Sequence, residues 1–323
     1  MKPGHSVLFS CLSLLAAMPL MAASGPEGCA SIEAGQERLA CYDSFFGRDI
    51  SAGDGVASSV GERESPVLSR RAQEASLLQQ WFSITPHRPN YILPATYNRS
   101  ADYSNYGDFG GLFSKTEIKY QLSLKTRILP NLWRNSSVWA GYTQQSYWQL
   151  YADSAASAPF RETNHEPELV WQIPVSFRMF GWDTRIASLA FNHQSNGQIR
   201  PLSRSWNRLT GELVMERGRF AASAKTWVRV DDPDLDDNPN IEDFMGRIQL
   251  GVAYKGDRHT FAVGLKNNLQ NDNRSGIELH WTFPLAQHLK GFVQVYSGYG
   301  ENLIDMENYN NRIGIGLALT DWL

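Results

Sequence analysis

From residue 90 to the end, the chain repeats one unit: about ten residues in which apolar and polar side chains alternate, closed by a polar turn. A period of two belongs to a β-strand, whose successive side chains point to opposite faces. Twelve such segments can be counted, at 90–98, 116–128, 136–151, 167–179, 184–196, 206–217, 219–230, 244–255, 258–269, 276–283, 288–299 and 312–323. Ten residues exceed the roughly 5–6 of an ordinary soluble strand and match the ~9–11 needed to cross a bilayer at a tilt. An even count is what a single-chain bacterial barrel uses when both termini lie on one side. The predicted fold is all-β, a 12-stranded antiparallel transmembrane β-barrel over residues 82–323. A soluble β-sandwich is the alternative.

The last segment shows the pattern most plainly. Ile313, Ile315, Leu317 and Leu319 share one face, predicted to meet lipid. Gly314, Gly316, Ala318 and Thr320 share the other, as a crowded lumen requires. Connections alternate too: "ERGRF" around Gly218 and "KGDRH" around Asp257 are tight, whereas 231–243 and 300–311 are long and polar. Composition agrees. Mean hydropathy is only −0.37, yet 12% of residues are aromatic, with ten Trp and thirteen Tyr. A polar lumen offsets a lipid-facing band, and amphipathic rings suit the membrane–water interface. No run of ~20 apolar residues follows the leader, which excludes a helical membrane protein. A net charge of −3 gives no electrostatic footprint for nucleic acid.

Lys2 and His5 precede an apolar stretch from Val7 to Met21, then Ala22, Ala23 and Ser24. This is the layout of a secretory signal over residues 1–23; a buried N-terminal helix is the alternative. Its removal leaves Cys29 and Cys41, and two cysteines in an exported protein read as a disulfide, against a metal pair or free thiols. Residues 24–81 form a short N-terminal periplasmic extension. Within it "SAGDGVASSVGERESPVLSRR" reads as a linker and 72–82 as a short helix entering the barrel.

One segment carries chemistry. In 184–196, His193 and Ser195 continue the row of Leu189 and Phe191, while Asn192, Gln194 and Asn196 face the other way. In 206–217, Asn207 shares a face with Leu209, Leu213 and Met215. If residues 193 and 207 lie opposite across the hairpin, all three polar side chains meet on the outer wall. Cross-strand Cβ atoms ~4.5–5.5 Å apart would allow an Asn–His hydrogen bond. A serine hydroxyl is a weak nucleophile until a base takes its proton. His193 would be that base and Asn207 would set its tautomer. Polar groups facing lipid are costly without a purpose, so the substrate would itself be a lipid.

"HQSNG" at 193–197 and "PLSRSWNRL" at 201–209 closely resemble the outer membrane phospholipase A of Gram-negative bacteria. The likeness continues through "YTQQSYWQLY" (142–151), "PFRETNHEPEL" (159–169), "DDNPNI" (236–241) and "VYSGYGENLID" (295–305), and so spans the whole barrel; the extension before residue 80 is outside it. The resemblance implies an outer-membrane enzyme that hydrolyses acyl esters of phospholipids and lysophospholipids, depends on calcium, and is active as a homodimer. Carried over, Ser195 is the nucleophile, His193 the base, Asn207 its orienter, and the Gly197 N–H part of an oxyanion hole. The implied calcium ligands are Gln198 and Ser203 from one subunit and Ser157 from the other, with Ser154 as the alternative in the same loop. Gln198 stands where the family carries arginine, a change tolerable if the ligand is a backbone carbonyl. The run "DDPDLDDNPN" at 231–240 lacks the glycine of an EF-hand, but the likeness makes Asp237 a further calcium ligand. Gln144 matches a glutamine that hydrogen-bonds across the family's dimer interface; the alternative is a lumen-facing residue. The competing function is a passive barrel, a porin or structural protein, with Arg208, Glu212, Arg247 and Glu278 lining its lumen.

Overall fold

The structure is a computed structural model and describes residues 29, 38, 65–77, 83–230, 238–286 and 289–321. It divides into two compact units, Met1–Ala57 and Ser58–Leu323. In the first, Cys29 is buried and disulfide-bonded; Cys41 and the signal segment lie outside the described residues.

The second unit holds a three-residue strand β1 (Ile84–Pro86) and twelve barrel strands. These are β2 (Asn90–Asn98), β3 (Thr116–Leu129), β4 (Ser137–Trp148), β5 (Phe160–Met179), β6 (Trp182–Ser195), β7 (Ser205–Arg217), β8 (Phe220–Arg229), β9 (Ile248–Lys255), β10 (Thr260–Asn267), β11 (Ser275–Ala286), β12 (Leu289–Gly298) and β13 (Asn310–Thr320). Each pairs antiparallel with the next, and β13 returns to β2, which closes the barrel. Closure abolishes free sheet edges, the condition for spanning a bilayer with strands. It also needs glycine: a Cβ at Gly316 would fall 2.1 Å from the Ile92 carbonyl oxygen. As predicted, Ile313, Ile315 and Leu319 face outward while Ala318 is buried.

Two strand starts differ most from the sequence reading. β5 begins at Phe160, inside the polar run "FRETNHE" read as loop. Its Glu162, Asn164 and Glu166 are buried in the lumen, and Arg161 is the extra residue of a bulge opposite Tyr147 and Trp148. Polarity marked the inward face there, not a turn. β9 begins only at Ile248, because Ile241–Met245 forms a short helix, α2. Arg247, expected in the lumen, therefore sits exposed at the rim and pairs with Glu242 at 3.5 Å.

A helix, an inward loop and ion-paired side chains occupy much of the lumen. Helix α1 (Pro66–Leu77) starts within the stretch read as linker. Pro66 suits the first helical turn, and the Leu68 N–H donates to Ser65 Oγ at 3.1 Å. The helix enters the mouth at the tight-turn end. Val67 packs on Ile186 and Ala221, Glu216 accepts from Ser65 Oγ at 2.6 Å and from the Val67 N–H at 3.1 Å, and Glu74 pairs with Lys125 at 2.9 Å. The barrel's compact unit thus takes in the end of the extension. Midway, Arg88 and Arg208 converge on Glu166 at 2.6 and 3.0 Å. Toward the long-loop end, Glu117 bridges Arg161 and Arg312 at 2.9 and 2.8 Å, and Arg312 and Lys119 reach Glu301 at 2.8 and 3.1 Å. Burial opposes the charge on Glu301, but Arg312 and Lys119 outweigh it and hold its carboxyl below the usual range. The connection before β13 folds inward, with Leu303 and Met306 packed on Trp206, Trp227, Ile241 and Met245. A charged cavity of about 340 Å³, lined among others by Arg88, Glu166, Arg208 and Glu278, remains inside.

Candidate active site

β6 and β7 form a hairpin joined by residues 196–204. Their register pairs His193 with Asn207 and, one step away, Asn192 with Arg208. Asn192 and Arg208 are 0% and 6% exposed, while Phe191 and Leu209, on the opposite face, are 48% and 51% exposed. Parity then puts His193, Ser195 and Asn207 on the outer wall. His193 Nδ1 lies 2.8 Å from Asn207 Oδ1. Since an amide oxygen only accepts, Nδ1 carries the proton and Nε2 is left with a free lone pair. The described hydrogen bonds do not include one from Ser195 Oγ to His193. Catalytic hydrogen bonds are often open until substrate arrives.

The wall behind the hairpin is braced from inside. Arg208 donates to Asn192 Oδ1 through Nε at 3.0 Å and to Glu166 at 3.0 Å, and its guanidinium lies 4.1 Å from the Trp206 ring centroid. Trp206 donates to Gln194 at 2.8 Å. The 196–204 loop is stapled by a residue that sequence reasoning passed over. Asn196, buried, donates to the Leu202 carbonyl at 2.9 Å and accepts from the Arg204 N–H at 2.9 Å. Its Asn-Gly step is the signal that could have found it. Gly197 follows with φ +65°, a left-handed conformation that leaves a side chain strained.

Three of the predicted calcium ligands, Gln198, Ser203 and Ser157, occupy loops at the same rim. Gln198 is exposed and its N–H donates to Asn196 Oδ1 at 3.3 Å. Ser203 is half-buried in the same loop. Ser157 follows Ser154–Ala156 with φ +57° and is exposed in the β4–β5 connection. Asp237 lies outside the described residues. One nitrogen of Arg204 donates to both loop carbonyls, Pro201 O at 2.9 Å and Ser203 O at 2.8 Å. The loop thus presents carbonyl oxygens, the donor type that calcium prefers, and no cluster of three or more His, Cys, Asp or Glu stands with them among the described residues.

Gln144 lies on the outer wall, since it pairs with the exposed Leu122 and with His165, while its neighbours Thr143 and Gln145 point inward. It donates to Ser146 Oγ at 3.1 Å, and its Oε1 lies 3.3 Å from the Tyr142 hydroxyl. His165, also missed in the sequence, is the register partner of Ser195. A band of hydrogen-bonding side chains therefore crosses β4 to β7 on a surface otherwise greasy.

Residues 67–319 match the family model described as phospholipase A1. A putative phospholipase A1 of Neisseria meningitidis is 33% identical, over 94% of this chain and 94% of its own length, so the likeness there takes in most of the extension. The solved outer membrane phospholipase A from Escherichia coli superimposes with a TM-score of 0.72 at 37% identity, covering 77% of this chain and 97% of that one. The outer membrane phospholipase of Salmonella typhi, solved as a dimer with bound calcium, gives a TM-score of 0.71 at 36% identity over 77% and 97%.

Proposed function

The chain belongs to the phospholipase A1 family and is a phospholipase of the Gram-negative outer membrane, and on that premise we propose that Ser195, His193 and Asn207 cleave the acyl esters of phospholipids and lysophospholipids at the outer wall of the barrel. One observation carries this reading: the 2.8 Å His193–Asn207 contact on the face that carries Phe191 and Leu209. Ser195 Oγ attacks the ester carbonyl carbon while His193 Nε2 takes its proton. Asn207 keeps Nδ1 protonated, so Nε2 stays available as the base. The Gly197 N–H donates to the carbonyl oxygen as it gains charge. Collapse expels the glycerol oxygen, which takes the proton from His193. Water then releases the fatty acid from Ser195 by the same route.

Oxygens of Gln198, Ser203 and Asp237, with Ser157 of a second copy, would hold calcium at this rim. When bound, the ion supplies positive charge beside the developing oxyanion. Dependence on a second copy has physical support. A site on a convex wall has no cleft for an acyl chain, and a second barrel against the same face would create a groove. The polar band through Gln144 would then find partners away from lipid.

Fatty-acid release by refolded protein from phospholipid micelles, with calcium and with EDTA, tests the reading alongside conductance in planar bilayers. Calcium-dependent release without steady conductance is expected. Conductance without hydrolysis would make the protein a passive barrel. The helix in one mouth and the inward loop in the other argue against that outcome.

A further inference from the structure

His193 is not the sole imidazole at this site. His165 stands directly opposite Ser195 across the β5–β6 ladder, half-buried on the outer wall. Side chains so paired lie ~4.5–5.5 Å apart at Cβ. The ring is held: His165 Nδ1 is 2.7 Å from the Tyr142 hydroxyl, and the two rings stack with centroids 6.3 Å apart. Tyr142 has one proton and two acceptors in reach, the imidazole nitrogen at 2.7 Å and Gln144 Oε1 at 3.3 Å. The 3.3 Å contact lies outside the ~2.5–3.0 Å of an O–H···O bond, so the phenol, a far better acid than a neutral imidazole, donates to Nδ1 in the short one. An imidazole that accepts at Nδ1 carries its own proton on Nε2.

The Nε2 edge of the ring borders the residues that follow Ser195. A Cβ built on Gly197 would stand 3.8 Å from His165 Cδ2 and 4.0 Å from Nε2, so this edge of the ring borders the Gly197 backbone. Among the described residues Nε2 has no hydrogen-bond partner. The carbonyl oxygen of an ester attacked by Ser195 would come to rest between the Gly197 N–H and this ring edge.

We propose that His165 is a catalytic residue that donates its Nε2–H to the carbonyl oxygen of the substrate ester, as a second oxyanion donor beside Gly197. The proposal rests on Ser195 being the nucleophile. As the Ser195 Oγ–carbon bond forms, the carbonyl π pair moves onto oxygen; His193 holds the serine proton, and His165 shares its proton without transferring it. Two donors suit an oxygen that gains a full charge on a surface largely free of water.

The test uses the full-length protein, refolded in detergent with calcium, and reads kcat and KM on micellar phospholipid at matched crosslinked-dimer fraction. His165→Phe keeps a ring and loses the donor; its kcat should fall about 100-fold with KM little changed and heat-modifiable migration intact. His165→Gln, whose amide can again present an N–H, should recover part of kcat. An unchanged kcat for His165→Phe, a rise in KM alone, or a loss that Gln does not relieve would each overturn the proposal. Ser195→Ala, run in parallel, separates the two levels. If that variant is active, the reading of the whole site fails; if it is dead while His165→Phe is normal, only the role of His165 fails.

Discussion

His193 and Asn207 face each other across the β6–β7 hairpin with Nδ1 and Oδ1 2.8 Å apart, on the side of the wall that meets lipid. The contact fixes the tautomer in which Nε2 can act as a base. Replacing His193 with alanine removes the base and should cost about 10²–10⁴-fold in kcat. Asn207→Ala removes the orienting bond, worth ~0.5–1.5 kcal/mol, and leaves the base in place, so it should cost roughly tenfold. Asn207→Asp should be tolerated, because a carboxylate accepts the same hydrogen bond. Steady-state rates across neutral pH check the ranking, and wild-type behaviour of Asn207→Ala would remove this residue from the site.

Ser195→Ala should leave a folded, heat-modifiable barrel without hydrolysis of micellar phospholipid, since no other hydroxyl can take the covalent step. A sulfonyl fluoride should label the wild type at Ser195 and leave the variant untouched. Mass spectrometry of the labelled peptide reads this directly; label at another serine would reassign the nucleophile.

Calcium removal should separate fold from activity. The barrel is held by closed strand pairing and by internal ion pairs such as Arg161–Glu117 and Arg208–Glu166, which lie away from the 196–204 loop, so EDTA should stop turnover without altering heat-modifiable migration. Activity and crosslinking yield should rise together as detergent is diluted. Full activity in a chelated, monomeric preparation would rule out both the ion and the second copy.

Glu216 ties helix α1 into the barrel mouth through Ser65 Oγ and the Val67 N–H. Glu216→Ala leaves those donors unsatisfied, a cost of about 1–3 kcal/mol. Faster proteolysis within 66–77 is expected, with hydrolysis largely retained, because Ser195 lies at the other end of the strands. Equal protection of the helix in variant and wild type would mean that this contact does not hold it.

Alternation is a local property, and it was enough for the barrel. Twelve segments, their two faces, and the outward row of Phe191, His193 and Ser195 follow from period two alone, because each side chain's face depends only on its place along its own strand. The same logic misplaced the start of β5, where bulge and lumen made a strand of a run that is polar after Phe160. It also gave Arg247 to the lumen, whereas the turn of α2 leaves that residue at the rim. Which residues meet is another matter. The pairing of His193 with Asn207 needed the length and stapling of the 196–204 loop, and the approach of His165 to Ser195 needed the β5–β6 register, across thirty positions of sequence. Helix α1 inside the lumen needed a closed barrel to receive it. The sequence by itself determined what each strand shows to lipid and to lumen; hydrogen-bond register between distant strands decided which of those side chains could act together, because a one-residue slip would move every one of them to the opposite face.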